Sequence, residues 1–400
     1  MDDREQALET PLRSAAVVLL VLVQVLLVAC HFPPVASIPL TLDDDNQLYL
    51  SARINGVNFM CVLDSGAGDR IYLNRDRAIA AGIRPTSHGR TGWVHSEMLA
   101  VDARAKATLE VGGLKLGDRE VVMQNMPGGG VCVLGMRTLR QFVVELDYDA
   151  PALRIYPSAM YQRSATADVV PFTEEDTGPI VTATVTLPKG ERMQVRMVVD
   201  TGCGRPAGYL SKSFIDKHSL MGKVSKTVPY FWSDVMDNQQ PRVLATRMDE
   251  LSLGSFKLPR PMFFLAQAPG FGGGTEPEGL LCPDFIRRFK VAFDYPRQRL
   301  ILDASPHSYD EAPFDASGTL IYRKMQKDAY RVFRVIEGSP AAEAGLRPSD
   351  IVLELDGMVA AQLSQYEIVK ALTRAGNVCV LRIQRGVDIL TVNLKLRTMI

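Results

Sequence analysis

The sequence predicts a mainly β protein with two pseudo-symmetric lobes, followed by a separate C-terminal module. An internal repeat is the first observation. Residues 61–68 (CVLDSGAG) and 197–204 (MVVDTGCG) are both apolar runs that end in Asp, a small hydroxyl residue and Gly. A second pair of segments, 135–148 and 282–295, also parallel each other, and each follows a glycine-rich turn. A repeat of this length indicates two copies of one structural unit, each about the size of a small domain.

Short alternating apolar runs between turn residues give the repeated part its β character. Residues 53–59 (RINGVNF) are an example, because Asn-Gly between such runs is a hairpin signal. The length of 400 residues suggests two or three domains. Lys and Arg total 45, Asp and Glu also total 45, and no basic stretch stands out. Binding to nucleic acid therefore has no electrostatic support.

The cysteine, histidine and glycine patterns argue against several classes of enzyme. None of the six cysteines forms a Cys-x-x-Cys pair, and the five histidines lack metal-ligand spacing. We therefore predict neither a metal nor another cofactor. The sequence has no Gly-x-Ser-x-Gly elbow to support a serine hydrolase. Its glycine clusters lack the Lys-Ser/Thr of a phosphate loop, and we interpret them as turns.

The N-terminal 30 residues differ from the rest of the chain. Residues 15–29 are an apolar run interrupted only by Gln24, shorter than the ~20 residues that usually span a bilayer. The run suits the core of a signal peptide. It ends in residues 27–30 (LVAC), which resemble a bacterial lipobox in which Cys30 is lipidated. The preceding stretch is net acidic, and an uncleaved membrane-anchor helix is the alternative. Residues 31–41, with three prolines, are predicted to be a linker. We expect the body of the protein to be exported and held by lipid or helix at the periplasmic face of a bacterial membrane.

The matched positions of Asp64 and Asp200 indicate a pair of carboxyl groups. A single Asp-Ser/Thr-Gly is weak evidence, since these are favoured turn residues, but two in matching frames can converge. Two carboxylates at close range cannot both ionise, so one remains an acid while the other is a base. Water-mediated hydrolysis of a peptide bond needs this division of roles.

The order of the motifs resembles that of retroviral-like and pepsin-like aspartic proteases. This order is apolar-apolar-Asp-Ser/Thr-Gly, then a flap-like hairpin, then apolar-apolar-Gly. The resemblance covers residues 42–303. It implies a first aspartic-protease lobe over 42–157, a linker over 158–167 and a second lobe over 168–303.

The same resemblance implies roles for the residues around the paired Asp-Ser/Thr-Gly motifs. Asp64 and Asp200 would be the catalytic residues, sitting side by side across the lobe interface. The residues expected to support them are the hydroxyls that brace the carboxylates and the glycines that allow a close backbone approach, namely Ser65, Thr201, Gly66 and Gly202.

Three more residues receive roles from the resemblance. Trp93 is the candidate for the aromatic tip of the flap, and a partly buried core Trp is the alternative. Cys203 follows the second Asp-Thr-Gly, and Cys282 takes the place that Gly135 has in the first lobe. These elements are adjacent in the family, so a Cys203–Cys282 disulfide is expected in an oxidising compartment. Two buried free thiols are the alternative.

After residue 303 the pattern changes, and residues 313–400 resemble an α+β PDZ domain of the kind associated with bacterial proteases. The resemblance is carried by residues 338–341 (GSPA) and 344–346 (AGL). PDZ domains bind an extended peptide as an added strand. The usual Gly-Leu-Gly-Phe-like loop is not evident, and we place peptide binding at the residues that follow its expected position, Ala329, Tyr330, Arg331 and Val332. A PDZ fold that serves only for packing or spacing is the alternative.

The sequence as a whole thus predicts an aspartic endopeptidase that acts on peptide or unfolded-protein substrates. In this interpretation the PDZ domain recognises a substrate or partner peptide. The rival interpretation is an inactive pseudoprotease that binds peptides in the cell envelope. It is motivated by the unusual cysteines of the second lobe.

Overall fold

The computed structural model describes residues 32–43, 46–91, 100–124, 132–230, 243–269, 277–310, 312–323 and 328–400. The predicted signal segment, with Cys30, and the flap candidate Trp93 lie outside these residues. Within them, no helix has the length and apolar character needed to cross a membrane.

The first lobe consists mainly of strands. In chain order these are β1 (Ala36–Pro39), β2 (Thr41–Leu42), β3 (Leu48–Ile54), β4 (Val57–Asp64), β5 (Ile71–Asn74), β6 (Ser87–Thr91), β7 (Ala100–Val111), β8 (Leu114–Gln124), β9 (Cys132–Gly135), β10 (Phe142–Asp147) and β11 (Ala152–Pro157). Helix α1 (Arg75–Ala80) follows β5, and its N-terminus is capped by the Asn74 side chain, which accepts from two backbone N–H groups. Short 3₁₀ turns cover Met136–Leu139 and Ser158–Met160.

The second lobe also consists mainly of strands. Its strands are β12 (Asp168–Pro171), β13 (Thr173–Glu175), β14 (Gly178–Thr186), β15 (Arg192–Val199), β16 (Gly208–Leu210), β17 (Val228–Tyr230), β18 (Val243–Arg247), β19 (Glu250–Leu253), β20 (Phe256–Pro259), β21 (Met262–Ala266), β22 (Gly279–Leu281), β23 (Phe289–Asp294) and β24 (Arg299–Ala304). Helices α2 (Lys212–Lys217) and α3 (Pro283–Ile286) and the 3₁₀ turns Leu220–Gly222 and Tyr295–Arg297 complete it.

The hairpin predicted from Asn-Gly joins β3 to β4. Asn55 and Gly56 have φ values of 48° and 78°, the left-handed geometry of a tight hairpin turn, and Ile54 pairs with Val57. Alternate residues of β3 are buried, as expected for a strand with one face on the core.

The strand order shows that the lobes are two copies of one unit. The first lobe has the order β2-β3-β4-β9-β5-β8-β7-β6, and the second contains β16 and β22 between β21 and β15. The segments β4-β9-β5-β8 and β15-β22-β16-β21 correspond strand for strand. In both, the outer pairs are parallel and the central pair is antiparallel. The internal repeat in the sequence therefore reflects a repeated topology.

A sheet shared by both lobes joins them, in the order β1-β11-β10-β23-β24-β12. Its central contact pairs β10 with β23, with Val144 opposite Phe293. Residues 36–39 were predicted to be linker, but they form β1 and pair with β11. Ala36 and Ile38 are buried there, and Pro39 is tolerated because β1 lies at the edge of this sheet among the described strands.

The C-terminal module has its own sheet and its own core. Its elements are β25 (Thr319–Tyr322), β26 (Tyr330–Val335), β27 (Ile351–Leu355), β28 (Met358–Val359), β29 (Val378–Arg385), β30 (Asp388–Lys395), α4 (Pro340–Glu343), α5 (Gln365–Leu372) and a 3₁₀ turn over Ala360–Gln362. The strand order is β25-β26-β27-β29-β30, with β28 paired to β27. Ser364 and Glu367 form a capping box at the start of α5.

The module is attached to the second lobe at several points. Arg247 donates to the carbonyl oxygen of Ala312 at 2.8 Å, and the ring of Phe314 lies 6.5 Å from that of Tyr230. Met399 and Ile400 pack into the apolar core of the lobes rather than into the core of the module. The module is thus fixed to the lobes at both of its ends.

Candidate active site

Asp64 is placed by two parallel strands of the first lobe. It ends β4, where it lies opposite Gly135 at the end of β9. The Gly135 N–H donates to the Arg70 carbonyl oxygen at 2.9 Å. A Cβ at position 135 would lie 2.8 Å from that same oxygen, so the chain needs glycine there.

Asp200 has the equivalent place in the second lobe. It follows β15 directly, and its N–H donates to the carbonyl oxygen of Leu281 at 2.9 Å. Its side chain is buried, whereas that of Asp64 is half-buried. Two copies of one strand–loop unit therefore deliver one carboxyl group each.

The hydroxyls of Ser65 and Thr201 tie the lobes together. The Ser65 hydroxyl donates to the Val199 carbonyl oxygen at 2.6 Å and accepts from the Thr201 N–H at 3.0 Å. The Thr201 hydroxyl donates to the Leu63 carbonyl oxygen at 2.7 Å and accepts from the Ser65 N–H at 3.0 Å. The sequence predicted that these hydroxyls brace the carboxylates. They bind the backbone of the opposite lobe instead, because each loop points its hydroxyl across the lobe interface.

Backbone N–H groups hold the carboxyl groups. The Gly66 N–H donates to Asp64 Oδ1 at 2.7 Å, and the Gly202 N–H donates to Asp200 Oδ1 at 2.8 Å. The N–H groups of Ala67 and Cys203 donate to the same two side chains. The Asp64 and Asp200 carboxyl groups lie close together across the lobe interface, and two carboxylates at such close range cannot both be ionised.

The environment raises the pKa of both carboxyl groups. Burial is the main cause at Asp64, where the hydrogen bonds from the backbone oppose it. At Asp200, burial and the nearby negative charge of Asp64 together raise the pKa well above the usual range of an Asp. The pair therefore retains a proton at a pH where exposed carboxyl groups are ionised.

Each glycine of the two motifs lies against the Asp of the other lobe. A Cβ at Gly66 would be 2.7 Å from Asp200 Cγ, and a Cβ at Gly202 would be 2.6 Å from Asp64 Cγ. The absence of a side chain at these two positions is what permits the two carboxyl groups to meet.

Two family models match the chain. Residues 50–138 match the model described as "Aspartyl protease", and residues 320–396 match the model described as "PDZ domain". This chain is similar to the aspartic proteases and carries a PDZ domain. Among solved structures, the aspartic proteinase from Irpex lacteus matches with 12% identity and a TM-score of 0.45. That match covers 69% of this chain and 99% of the fungal one. No curated protein matches this chain in sequence.

Each lobe has one disulfide between the segment that carries its Asp and the neighbouring segment, although the two bonds lie at different positions. Cys203 is bonded to Cys282, with Cα atoms 5.4 Å apart, within the usual range of a disulfide. Cys61 is bonded to Cys132, a pair that the sequence analysis did not single out. The signal was present, since each of these cysteines lies three residues before a matched position, Asp64 or Gly135. Two parallel strands in that register bring them opposite each other.

Gln47 is a further residue at the site that the sequence analysis missed. Its side-chain amide Nε2 donates to the carbonyl oxygen of Gly202 at 2.6 Å, so that the first lobe also holds the second Asp-Thr-Gly loop from the segment before β3. Nothing in the sequence around Gln47 signals this contact.

Among the described residues, no group of three or more His, Cys, Asp or Glu side chains could hold a metal ion.

The strand that the sequence analysis chose for peptide binding is not an edge of the PDZ sheet. Residues 329–332 were expected to receive a peptide, but β26 pairs with β25 on one side and with β27 on the other. Strand addition needs a free edge. Among the described strands of this sheet, the edge next to α5 is β25. A cavity of about 170 Å³ lies beside β25 and is also lined by Arg205, which follows Cys203 by two residues. This cavity beside β25 and α5, which we call the groove of the PDZ domain, therefore lies next to the Asp200 loop.

Proposed function

We propose that this chain is an aspartic endopeptidase with Asp64 and Asp200 as its catalytic residues. The observation that carries the proposal is that two carboxyl groups meet across the lobe interface, each held by N–H groups of its own loop and each lying against the glycine of the other loop. A pair that keeps one proton supplies an acid and a base at the same place.

In this mechanism the ionised Asp64 takes a proton from a water molecule held between the two carboxyl groups. The water oxygen attacks the carbonyl carbon of the scissile peptide bond while Asp200 donates its proton to the carbonyl oxygen. Return of a proton to the amide nitrogen then breaks the C–N bond and releases the amine. Asp200 is assigned the proton because it is the more buried of the two residues, and burial disfavours the charged form.

The two disulfides support a further part of the proposal, namely that the protein works in an oxidising compartment outside the cytosol. Cleavage of a signal segment and lipidation at Cys30 would place it at a membrane surface. Mass spectrometry of the mature N-terminus tests this part. A lipid-modified Cys30 as first residue supports the lipoprotein form, and an intact residue 1 supports the anchor helix.

The decisive experiment compares hydrolysis of an unfolded protein, such as casein, by the purified wild type and by Asp64→Asn and Asp200→Asn. Asp216→Asn is the matched control, because Asp216 is an exposed Asp on α2, away from the loops. We expect both site variants to lose at least about 100-fold in rate, since general acid–base groups contribute about 10²–10⁴-fold. A folded Asp200→Asn variant with near-normal turnover would exclude the mechanism. A wild type that binds the substrate without cleaving it would favour the pseudoprotease.

A further inference from the structure

The loop that precedes β25 binds a carboxylate of its own. The Gly318 N–H donates to Asp315 Oδ2 at 2.6 Å, and the Ser317 N–H donates to Asp315 Oδ1 at 3.1 Å. The Ser317 hydroxyl donates to Oδ1 at 2.6 Å, and its oxygen accepts from the Thr319 N–H at 3.2 Å. Successive N–H groups that converge on one anion form a backbone nest. Asp315 fills this nest from within the chain.

The filled nest lies at one end of the groove of the PDZ domain. Asp315 lines the cavity of about 170 Å³, together with Leu320 of β25 and Val369 and Leu372 of α5. Tyr230 of the second lobe also lines this cavity. Along the edge of β25, the Gln365 side-chain amide donates to the Ile321 carbonyl oxygen at 2.9 Å, a place that the N–H of an added peptide strand would take.

A nest of N–H groups at the end of such a groove is the device that captures the terminal carboxylate of a peptide. Here the N–H groups already have an anionic partner, and a second carboxylate beside Asp315 would be repelled by it. The apolar side chains that line the cavity take no part in this repulsion. They can therefore still contact an apolar side chain of an extended polypeptide.

We propose that Asp315 determines the specificity of the PDZ domain. By taking the place of a peptide carboxylate, it restricts the groove to internal apolar segments of an extended polypeptide and excludes chain ends. This inference rests on the proposed endopeptidase function and on the role in peptide recognition that the sequence predicts for the PDZ domain, and it adds the class of ligand. An endopeptidase that cuts within unfolded chains would gain from it, since internal segments are recognised wherever the chain ends lie.

The test uses the full chain with Asp64→Asn, to prevent cleavage, and three pools of fluorescein-labelled peptides. One pool has ten random residues and a free carboxylate, the second has the same residues and a C-terminal amide, and the third continues into a Gly-Ser tail. Anisotropy titrations are made with Asp315 intact, with Asp315→Ala and with Asp315→Asn, which keeps an acceptor oxygen in the nest.

With Asp315 intact, we expect the three pools to bind within about twofold of one another. Asp315→Ala should bind the free-carboxylate pool about 10-fold or more tighter than the amide pool, the effect of charge-assisted hydrogen bonds, and Asp315→Asn should show a smaller preference. If the protein with Asp315 intact binds the free-carboxylate pool ten times more tightly than the amide pool, the inference is overturned. This comparison needs no substitution at Asp315. A folded Asp315→Ala protein without any gain overturns it as well. If no protein binds any pool, peptide recognition by the PDZ domain is itself wrong, a result distinct from the other two.

Discussion

Replacing Gly66 by Ala is a small change with a calculable effect on the carboxyl pair. The new Cβ would lie 2.7 Å from Asp200 Cγ and 2.8 Å from Oδ2, whereas ordinary contact begins at 3.4 Å. The Asp200 carboxyl group or the Gly66 backbone must therefore move by about 0.7 Å. Misplacement on the order of 1 Å can cost about 100-fold in rate. We expect kcat to fall by about this factor, because the displaced carboxyl group would act in the chemical step.

Gly202→Ala provides an independent measurement of the same effect in the other lobe. Its Cβ would lie 2.6 Å from Asp64 Cγ, so the two variants should lose similar amounts of activity. Gly222→Ala is the control, because a Cβ at Gly222 meets no atom within 4 Å. It should retain wild-type kinetics.

The assay is the initial rate of hydrolysis of a fluorogenic peptide, with circular dichroism and thermal unfolding to verify the fold. If Gly66→Ala is folded and its kcat is within about threefold of the wild type, the carboxyl pair does not need this geometry for turnover. The reasoning from the two glycines to the mechanism would then be refuted.

Other predictions concern stability and the PDZ domain. Thr201→Val leaves two buried backbone groups without partners and should lower the free energy of unfolding by about 2–6 kcal/mol in urea titrations; a loss below about 1 kcal/mol would contradict this. Because the folded protein raises the pKa of both carboxyl groups, their ionisation opposes folding, and wild-type stability should fall as pH rises from about 4 towards neutral. Asp200→Asn should flatten this dependence, and a parallel pH profile for the variant would argue against it. Cys282→Ser should make the protein easier to unfold by about 2–4 kcal/mol, and equal midpoints in denaturant would show that the disulfide is unimportant. Deleting residues 313–400 should reduce cleavage of long substrates more than of short peptides, whereas equal losses would indicate a purely structural role.

The sequence predicted local and repeated features better than features that depend on how distant strands assemble. The paired Asp motifs and the Asn55-Gly56 hairpin could be identified because each depends on a few neighbouring residues. The bond between Cys61 and Cys132 depends on two strands that are distant in sequence and lie in parallel register, so it was missed. The partners of Ser65 and Thr201 were wrong for a similar reason, since they are set by the placement of one lobe against the other.

The PDZ domain illustrates the same limit. The module was identified from the residues around α4, but the sequence does not reveal the order of its strands, and β26 was taken for an edge. The nest around Asp315 was also missed, because its residues precede the segment in which the usual loop was sought. A short Asp-x-Ser-Gly run is a common turn, and only its position beside β25 gives it meaning.

The candidate site is held by a covalent bond within each lobe but only by non-covalent contacts between the lobes. Within each lobe, a covalent bond ties the strand and loop that carry the Asp to the neighbouring element. Between the lobes at this point, the connections are hydrogen bonds: the four of Ser65 and Thr201 and the one from Gln47 to Gly202. Under increasing denaturant in oxidising conditions, the two Asp loops should therefore move apart while each keeps its own shape and the shared sheet still joins the lobes. Loss of activity would then be an early and reversible event, which precedes the unfolding of either lobe and is undone when the loops meet again.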